Sequence, residues 1–121
     1  MENSFSKMYE AYLSEREGLE VIRSEKGFIA YQMDYTKRAC LINDYFILDA
    51  YRRSGEGYRL ADIVFTICKE RGIERVYCQS DIKANGHRVA ALSILNYGFD
   101  VFQTQGDLIF YSMEVSKWEK R

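Results

Sequence analysis

The stretch Arg52-Arg53-Ser54-Gly55-Glu56-Gly57 lies between a sequence typical of a β-strand and one typical of a helix. Residues 40–48, just before it, are rich in β-branched and aromatic residues. After it, apolar residues recur at helical spacing from Leu60 to Cys68. A glycine-rich loop that opens a helix exposes backbone N–H groups and the positive end of the helix dipole. The stretch therefore predicts a binding site for an anion such as a phosphate group.

The composition is that of a folded globular chain. Its 121 residues suffice for one domain with a real core, and we expect a single domain over 1–121. The formal net charge is -1, so no nucleic-acid partner is expected. No apolar run approaches the roughly 20 residues that span a bilayer. Residues 1–6 lack the features of a signal peptide, so we expect no membrane association and a cytoplasmic location.

Three cysteines, Cys40, Cys68 and Cys78, are far apart in the sequence and form no CxxC pair. We therefore expect neither a zinc site nor a site for another metal. Each cysteine lies within an apolar pattern, which predicts three buried thiols.

The first half of the chain predicts a helix followed by three antiparallel strands. Apolar residues at helical spacing indicate an N-terminal helix within residues 1–17. Strands are predicted at 19–24, 28–35 and 39–48. Between the first two, Glu25-Lys26-Gly27 reads as a hairpin turn in which Gly27 supplies a positive φ. The three strands should form an antiparallel meander.

The second half predicts alternating helices and strands. Helices are expected at 57–71 and 87–97, with a strand at 75–80 between them. Because strand, helix and strand alternate here, the two strands should be parallel. Strands 99–104 and 108–115 should form a C-terminal hairpin. The whole is an α+β plan with a mixed sheet. The charged tail 116–121 should fray, and Trp118 either docks it or stays partly exposed.

Two common phosphate-binding loops do not fit the glycine stretch. The P-loop requires Lys-Ser or Lys-Thr after its glycines, and neither follows Gly57. The dinucleotide-binding fingerprint requires a third glycine, which is missing.

A third pattern fits better. Arg52-x-x-Gly55-x-Gly57 resembles the Arg/Gln-x-x-Gly-x-Gly/Ala signature of the GNAT N-acetyltransferases. The predicted order of elements over about 28–115 also resembles that family, as does the pair Gly98-Phe99 after the last helix. The resemblance implies a GNAT-like acyl-CoA N-acyltransferase fold, acetyl-CoA as the co-substrate, and direct acetyl transfer to an amine.

The resemblance also implies a set of cofactor-binding residues. Backbone N–H groups of residues 53–58 would hold the pyrophosphate, and Arg52 and Arg53 would pair with its oxygens. The strand before the loop splays from its neighbour in the family, so its last backbone groups would pair with the pantetheine amides. Glu56 must point away from the phosphates, or the site is weaker than usual. The expected cofactor-binding residues are Ile47, Leu48, Arg52, Arg53, Ser54, Gly55, Glu56, Gly57, Tyr58 and Asn85.

Residues that handle protons are harder to identify. Many family members carry a tyrosine acid about five residues before the Gly-Phe phenylalanine, and Ile94 stands at that place. The candidates are Asp44, His87 and Tyr97. Asp44 is either a base or a solvated strand residue. His87 is attractive as a base because the pKa of histidine lies near neutral pH. A helix N-terminus would, however, lower that pKa, and a histidine on the surface is commoner than a catalytic one.

The segment that would bind the acceptor is short in the predicted fold. Many family members have two helices between their first two strands, whereas here a single helix precedes the first predicted strand. The acceptor groove is then either open or completed by a partner chain, as in a homodimer. An open groove favours a protein or peptide amine. The alternative is a GNAT-fold protein with little or no activity that acts through protein binding.

Overall fold

The computed structural model of the chain describes residues 7–8, 11–12, 15 and 18–119, in which six strands and two long helices follow residue 18. The strands are β1 (Glu20–Arg23), β2 (Gly27–Asp34), β3 (Ala39–Ile47), β4 (Arg75–Asp81), β5 (Asp100–Gln105) and β6 (Leu108–Glu114). The helices are α1 (Glu56–Glu70) and α2 (His87–Tyr97). The five described residues before residue 18 are helical, and the rest of the predicted 1–17 helix lies outside the described residues.

The sheet has the order β1-β2-β3-β4-β6-β5. Its β3–β4 pair is parallel and its other neighbouring pairs are antiparallel. The predicted meander, parallel unit and C-terminal hairpin are thus confirmed, and with them the α+β plan. In this sheet α1 connects the two parallel strands, so its N-terminus lies at the end of β3.

The parallel strands β3 and β4 pair over three residues only, from Ala39 opposite Arg75 to Leu41 opposite Tyr77. Beyond them, β3 continues to Ile47 and β4 to Asp81, each paired with its antiparallel neighbour but not with the other. The two strands therefore separate and leave a gap whose edges carry unpaired backbone groups.

A β-bulge at Asn43 changes the faces of β3. Tyr31 pairs with Ile42 and Ala30 pairs with Asp44, so Asn43 has no partner on β2. Directly opposite residues of an antiparallel pair share a face. Tyr45 lies opposite Ile29 and hence shares the face of the buried core, whereas simple alternation from Ile42 would have put Asp44 there.

Helices α1 and α2 cover the same face of the sheet and share one core with it. Phe65 of α1 is fully buried at its centre. Its ring lies 5.5 Å from that of Tyr97 and 5.9 Å from that of Phe99. The other large side chains of the core that are under 2 % exposed are Tyr31, Tyr111, Leu60, Val64, Val76, Cys40 and Cys68.

The three cysteines are buried and free, as the sequence predicts. Cys40 and Cys68 are completely inaccessible within the core. Cys78, at 8 % exposure, lies on β4 beside the gap.

The prediction that Gly27 supplies a positive φ in a hairpin turn is wrong. Gly27 does not have a positive φ, and it is the first residue of β2. A Cβ at this position would lie 2.2 Å from the carbonyl oxygen of Phe46 on β3. Glycine is required here because the backbones of two strands approach closely.

The start of the C-terminal tail is held by Trp118. The Trp118 ring stacks on Phe65 with 5.7 Å between centroids, and its Nε1 donates to Asp62 Oδ1 over 3.2 Å. Trp118 is therefore docked, and it is at the same time half-buried, so the two alternatives do not exclude each other. Lys120 and Arg121 lie outside the described residues.

Candidate active site

The N-terminus of α1 has no side-chain cap. Its N-cap residue, Gly55, has a φ of 87° and makes no side-chain hydrogen bond to the helix. The first N–H groups of an α-helix have no acceptor within the helix. The N–H groups of Glu56, Gly57 and Tyr58 are therefore available to an anion that approaches along the helix axis.

Two neighbouring arginines at this loop have different surroundings. Arg52 Nε donates to the carbonyl oxygen of Ile47 over 2.9 Å, and its Nη1 pairs with Asp49 over 3.2 Å. Arg53 is exposed, has a φ of 68°, and makes no hydrogen bond or ion pair with any described residue. Arg53 is thus the more available cation for a phosphate oxygen.

Glu56 points away from the loop opening, as the sequence analysis required. Its buried carboxylate accepts hydrogen bonds from Arg59 over 2.8 and 2.9 Å and from Ser24 Oγ over 2.5 Å. These contacts, with Arg59 first, lower the pKa of Glu56 to about 2. Its side chain ties the β1–β2 turn to α1, which leaves only its backbone N–H for a cofactor.

The end of β3 differs from the expectation that its backbone groups are free. Leu48 donates its N–H to the carbonyl oxygen of Lys26 and accepts the N–H of Tyr51, both over 2.8 Å. The Ile47 carbonyl accepts from Arg52. A ligand carbonyl could pair with the Leu48 N–H only if its bond to Lys26 opened, whereas the Ile47 and Leu48 carbonyl oxygens each keep a second lone pair. Because backbone direction alternates along a strand, Tyr45 directs its backbone groups into the gap.

A cavity of about 150 Å³ occupies the gap between β3 and β4 and extends under the helices. Gly57 and Tyr58 from the predicted cofactor site line it, so the uncapped N-terminus of α1 adjoins this cavity. Asp44 and Tyr97, two of the predicted proton-handling residues, also line it. Further lining residues from the strands and α2 are Tyr45, Cys78, Gln79, Ser93 and Ile94.

Of the predicted proton-handling residues, Tyr97 is buried and its hydroxyl is engaged. Tyr97 donates to Asp62 Oδ1 over 2.7 Å. Asp44 is exposed and its side chain makes no hydrogen bond with another described residue, so its carboxylate is available. Their catalytic roles stay predictions.

His87 is not among the residues that line the cavity. Its Nε2 lies 3.2 Å from Ser80 Oγ, which in turn lies 2.8 Å from the Tyr111 hydroxyl. Asn85 lies two residues before it, exposed in the loop that precedes α2. The structure therefore brings Asp44 and Tyr97 to one cavity and places His87 in a neighbouring hydrogen-bonded group.

Tyr45 and Cys78 also line this cavity, and neither is among the site residues predicted from the sequence. Burial raises the pKa of Cys78 to about 12. Burial also raises the pKa of Tyr45, with further contributions from the acidic groups of Cys78 and Tyr111. The inward orientation of Tyr45 could not be predicted from the sequence, because alternation along β3 does not reveal the bulge at Asn43.

None of the helices among the described residues has both the length and the apolar character needed to cross a membrane. Within residues 18–119 and the described residues before them, no three His, Cys, Asp or Glu side chains are grouped as metal ligands would be.

Comparison with known proteins identifies similar chains. The model of the acetyltransferase (GNAT) family matches residues 5–93. A GNAT-family protein from Desulfovibrio desulfuricans superposes with a TM-score of 0.76 at 15% identity, over 90% of this chain and 77% of that one. The PaiA N-acetyltransferase from Thermoplasma acidophilum was solved in complex with coenzyme A. It superposes with a TM-score of 0.72 at 16% identity, over 92% of this chain and 71% of that one.

A third similar structure is the ribosomal-protein-S18-alanine N-acetyltransferase from Escherichia coli, with a TM-score of 0.64 at 15% identity over 90% of this chain and 76% of that one. At such identities the likeness establishes the fold. Against two of the first four similar structures, the chain spans only 58% and 59% of their length. A search of curated proteins found no match.

Proposed function

Since the chain belongs to the GNAT acetyltransferase family, we propose that it transfers the acetyl group of acetyl-CoA directly to an amine. The observation that carries the proposal is the uncapped N-terminus of α1, which adjoins the cavity between β3 and β4. A diphosphate at Gly55 and Gly57 would accept the free N–H groups of the helix, and the cavity leads from there between the strands.

The residues present fit acetyl-CoA in charge and in shape. Glu56 turns its carboxylate to Arg59 and Ser24, so it does not oppose a diphosphate. Arg53 is an unpaired cation beside the loop among the described residues. A Cβ at Gly57 would meet no atom within 4 Å, so space is open at this point for a ligand.

Acetyl-CoA supplies an acetyl group activated as a thioester. In the proposed reaction the residues of the chain bind it, exclude water from the thioester and accept the proton that the amine loses. Asp44 is proposed as the base, because the residue lines the cavity and its exposed carboxylate has no hydrogen-bond partner among the described residues. Asn85, as a contact for acetyl-CoA, and His87, as a second candidate for proton transfer, remain proposed contributors from the start of α2.

The proposed acceptor is the amine of a protein or peptide. The open acceptor groove expected from the sequence would suit a chain-like substrate, and one structural relative acts on an alanine of ribosomal protein S18, as its name states. A homodimer that completes the groove is part of the same proposal.

Calorimetric titration with acetyl-CoA and with CoA tests this function. We expect binding of both, and release of CoA thiol when peptides with free amino termini are added. If circular dichroism shows that the protein is folded and millimolar ligand still produces no heat of binding, the proposal is overturned.

A second candidate is a GNAT-fold protein that acts by protein binding alone. It is favoured by Ile94, an apolar residue that lines the cavity, and by the engagement of the Tyr97 hydroxyl with Asp62. A partner recovered equally well by the wild-type protein and by a variant that does not bind CoA would support it. Acetyl transfer by the purified chain would exclude it.

A further inference from the structure

Tyr45 is the tyrosine around the cavity whose hydroxyl has no partner among the described residues. Three other tyrosines at or beside the cavity are engaged. Tyr58 donates to the Ser93 carbonyl oxygen over 3.3 Å, and Tyr97 donates to Asp62. The hydroxyl of Tyr111 is bonded to Ser80. Tyr45 is thus the phenol available to a ligand in this space.

The position of Tyr45 follows from the bulge. Because Asn43 is an extra residue, Tyr45 lies opposite Ile29 and its side chain faces the helices. It is only two residues from Asn43, where β3 has already separated from β4. At 39% exposure, Tyr45 lines the cavity and remains accessible to a ligand.

The surroundings keep this phenol protonated at neutral pH. Burial, then the acidic groups of Cys78, Tyr111 and Asp44, raise its pKa above the usual value for tyrosine. The titratable groups that face it from β3, β4 and β6 are therefore acids, and each disfavours a phenolate. A protonated hydroxyl is both a hydrogen-bond donor and a source of a proton.

The same cavity makes a thiolate strongly basic. The thiol of Cys78 has its pKa raised to about 12 by burial alone. The sulfur of a ligand beside Cys78 would experience the same desolvation, so its thiolate would take a proton from a phenol more readily than it would in water.

We propose that Tyr45 donates its phenolic proton to the sulfur that departs during acetyl transfer, in place of the residue that Ile94 cannot provide. This inference rests on the proposed function and goes beyond it by assigning the acid. The amine nitrogen forms a bond to the carbonyl carbon while the carbon–sulfur bond breaks. The electron pair of that bond goes to sulfur, which takes the proton of Tyr45. The amine loses one proton to Asp44, which then releases it to solvent, and solvent returns one proton to Tyr45.

Binding measurements test the assignment without an acceptor substrate. CoA and desulfo-CoA, which has hydrogen in place of the thiol, are titrated into wild-type protein and into Tyr45→Phe. We expect the variant to bind CoA about three- to tenfold more weakly and desulfo-CoA equally well, because one hydrogen bond to sulfur is lost. Tyr45→Phe removes a hydroxyl without a partner among the described residues, so the variant should fold.

The matched control is Tyr35→Phe. Tyr35 is exposed at the far end of β2, and its hydroxyl accepts a hydrogen bond from Arg71, away from the cavity. This control should leave both affinities unchanged. An unchanged ratio of CoA to desulfo-CoA affinity in Tyr45→Phe would overturn the assignment and leave the proposed function intact. Failure of wild-type protein to bind either ligand would overturn both.

Turnover with a peptide that carries a free amino terminus and one lysine supplies a second readout. We expect kcat of Tyr45→Phe to fall about 100-fold, with a smaller change in KM for acetyl-CoA. Replacement of Tyr45 by 3-fluorotyrosine, a more acidic phenol, should move the alkaline limb of the kcat profile to lower pH. An alkaline limb at the same pH in wild-type and fluorinated protein would contradict the assignment.

Discussion

The hydroxyl of Tyr97 donates a hydrogen bond to Asp62 Oδ1 over 2.7 Å, and so joins the last turn of α2 to the middle of α1. Trp118 Nε1 donates to the same oxygen over 3.2 Å. One carboxylate oxygen thereby connects both helices and the C-terminal segment. The arrangement gives Tyr97 a structural role that is independent of any part in proton transfer.

Tyr97→Phe should lower the free energy of unfolding by about 1.5–3 kcal/mol, because it removes a hydrogen bond to a charged group in a largely buried place. Urea unfolding measures this loss, with Tyr35→Phe as the exposed control. A stability equal to that of wild-type protein would contradict the structural role. Turnover of the folded variant tests the predicted catalytic role separately, since loss of an acid or base costs about 100-fold or more.

Gly57→Asp should abolish acetyl-CoA binding, since it places a carboxylate at the second residue of α1, where a diphosphate would lie. An acidic residue in the first turn of a helix favours the helix dipole, and a Cβ here meets no atom within 4 Å. The variant should therefore remain folded. Calorimetry compares it with Gly57→Ala, which adds the Cβ without the charge. Retained affinity in Gly57→Asp would show that the diphosphate binds elsewhere.

Arg53→Ala should weaken CoA binding about tenfold or more, because a charge-assisted hydrogen bond to phosphate is lost. The same variant should bind pantetheine, which lacks the diphosphate, as wild-type protein does. Arg52→Ala is the informative comparison, since its guanidinium already bonds to Ile47 and Asp49. A larger loss of CoA affinity in Arg52→Ala than in Arg53→Ala would reverse our assignment of the phosphate contact.

Glu56 should make stability depend on acid pH. Its pKa lies near 2 in the folded protein and near 4.5 in the absence of its partners, so the unfolded chain takes up the proton first. The stabilisation is fully present above about pH 5 and is lost as the pH falls toward 2, with a total of about 2–3 kcal/mol.

Glu56→Gln should remove most of this acid dependence and should be less stable than wild-type protein at neutral pH. Thermal or urea unfolding between pH 2 and 7 measures both effects. Glu70→Gln, at the exposed C-terminal end of α1, is the control and should follow the wild-type curve. Equal acid dependence in wild-type protein and Glu56→Gln would mean that the contacts with Arg59 and Ser24 add no net stability.

Much of the fold could be predicted because its signals are local. Alternation and β-branched residues indicate the strands, and helical spacing from Leu60 to Cys68 indicates α1. The glycine loop was placed correctly because a glycine N-cap with a positive φ depends on neighbouring residues alone. The three buried thiols follow from the apolar segments around them.

The errors concern contacts between distant segments. Gly27 was assigned a turn conformation, but its role depends on Phe46, nineteen residues later in the chain. The backbone groups of Leu48 were expected to be free, and one of them is bonded to Lys26 on the preceding hairpin. Neither partner can be inferred from residues adjacent in sequence.

The sequence by itself determined the mixed sheet, the order of its elements and the glycine loop that precedes α1, because periodicity, glycine and helix termini act over short distances. Only the tertiary structure decided which side chains share the cavity. The bulge at Asn43 turns Tyr45 inward, and Asp62 engages the hydroxyl of Tyr97. Strand register and side-chain partners depend on the packing of the whole sheet against both helices, which no local pattern records.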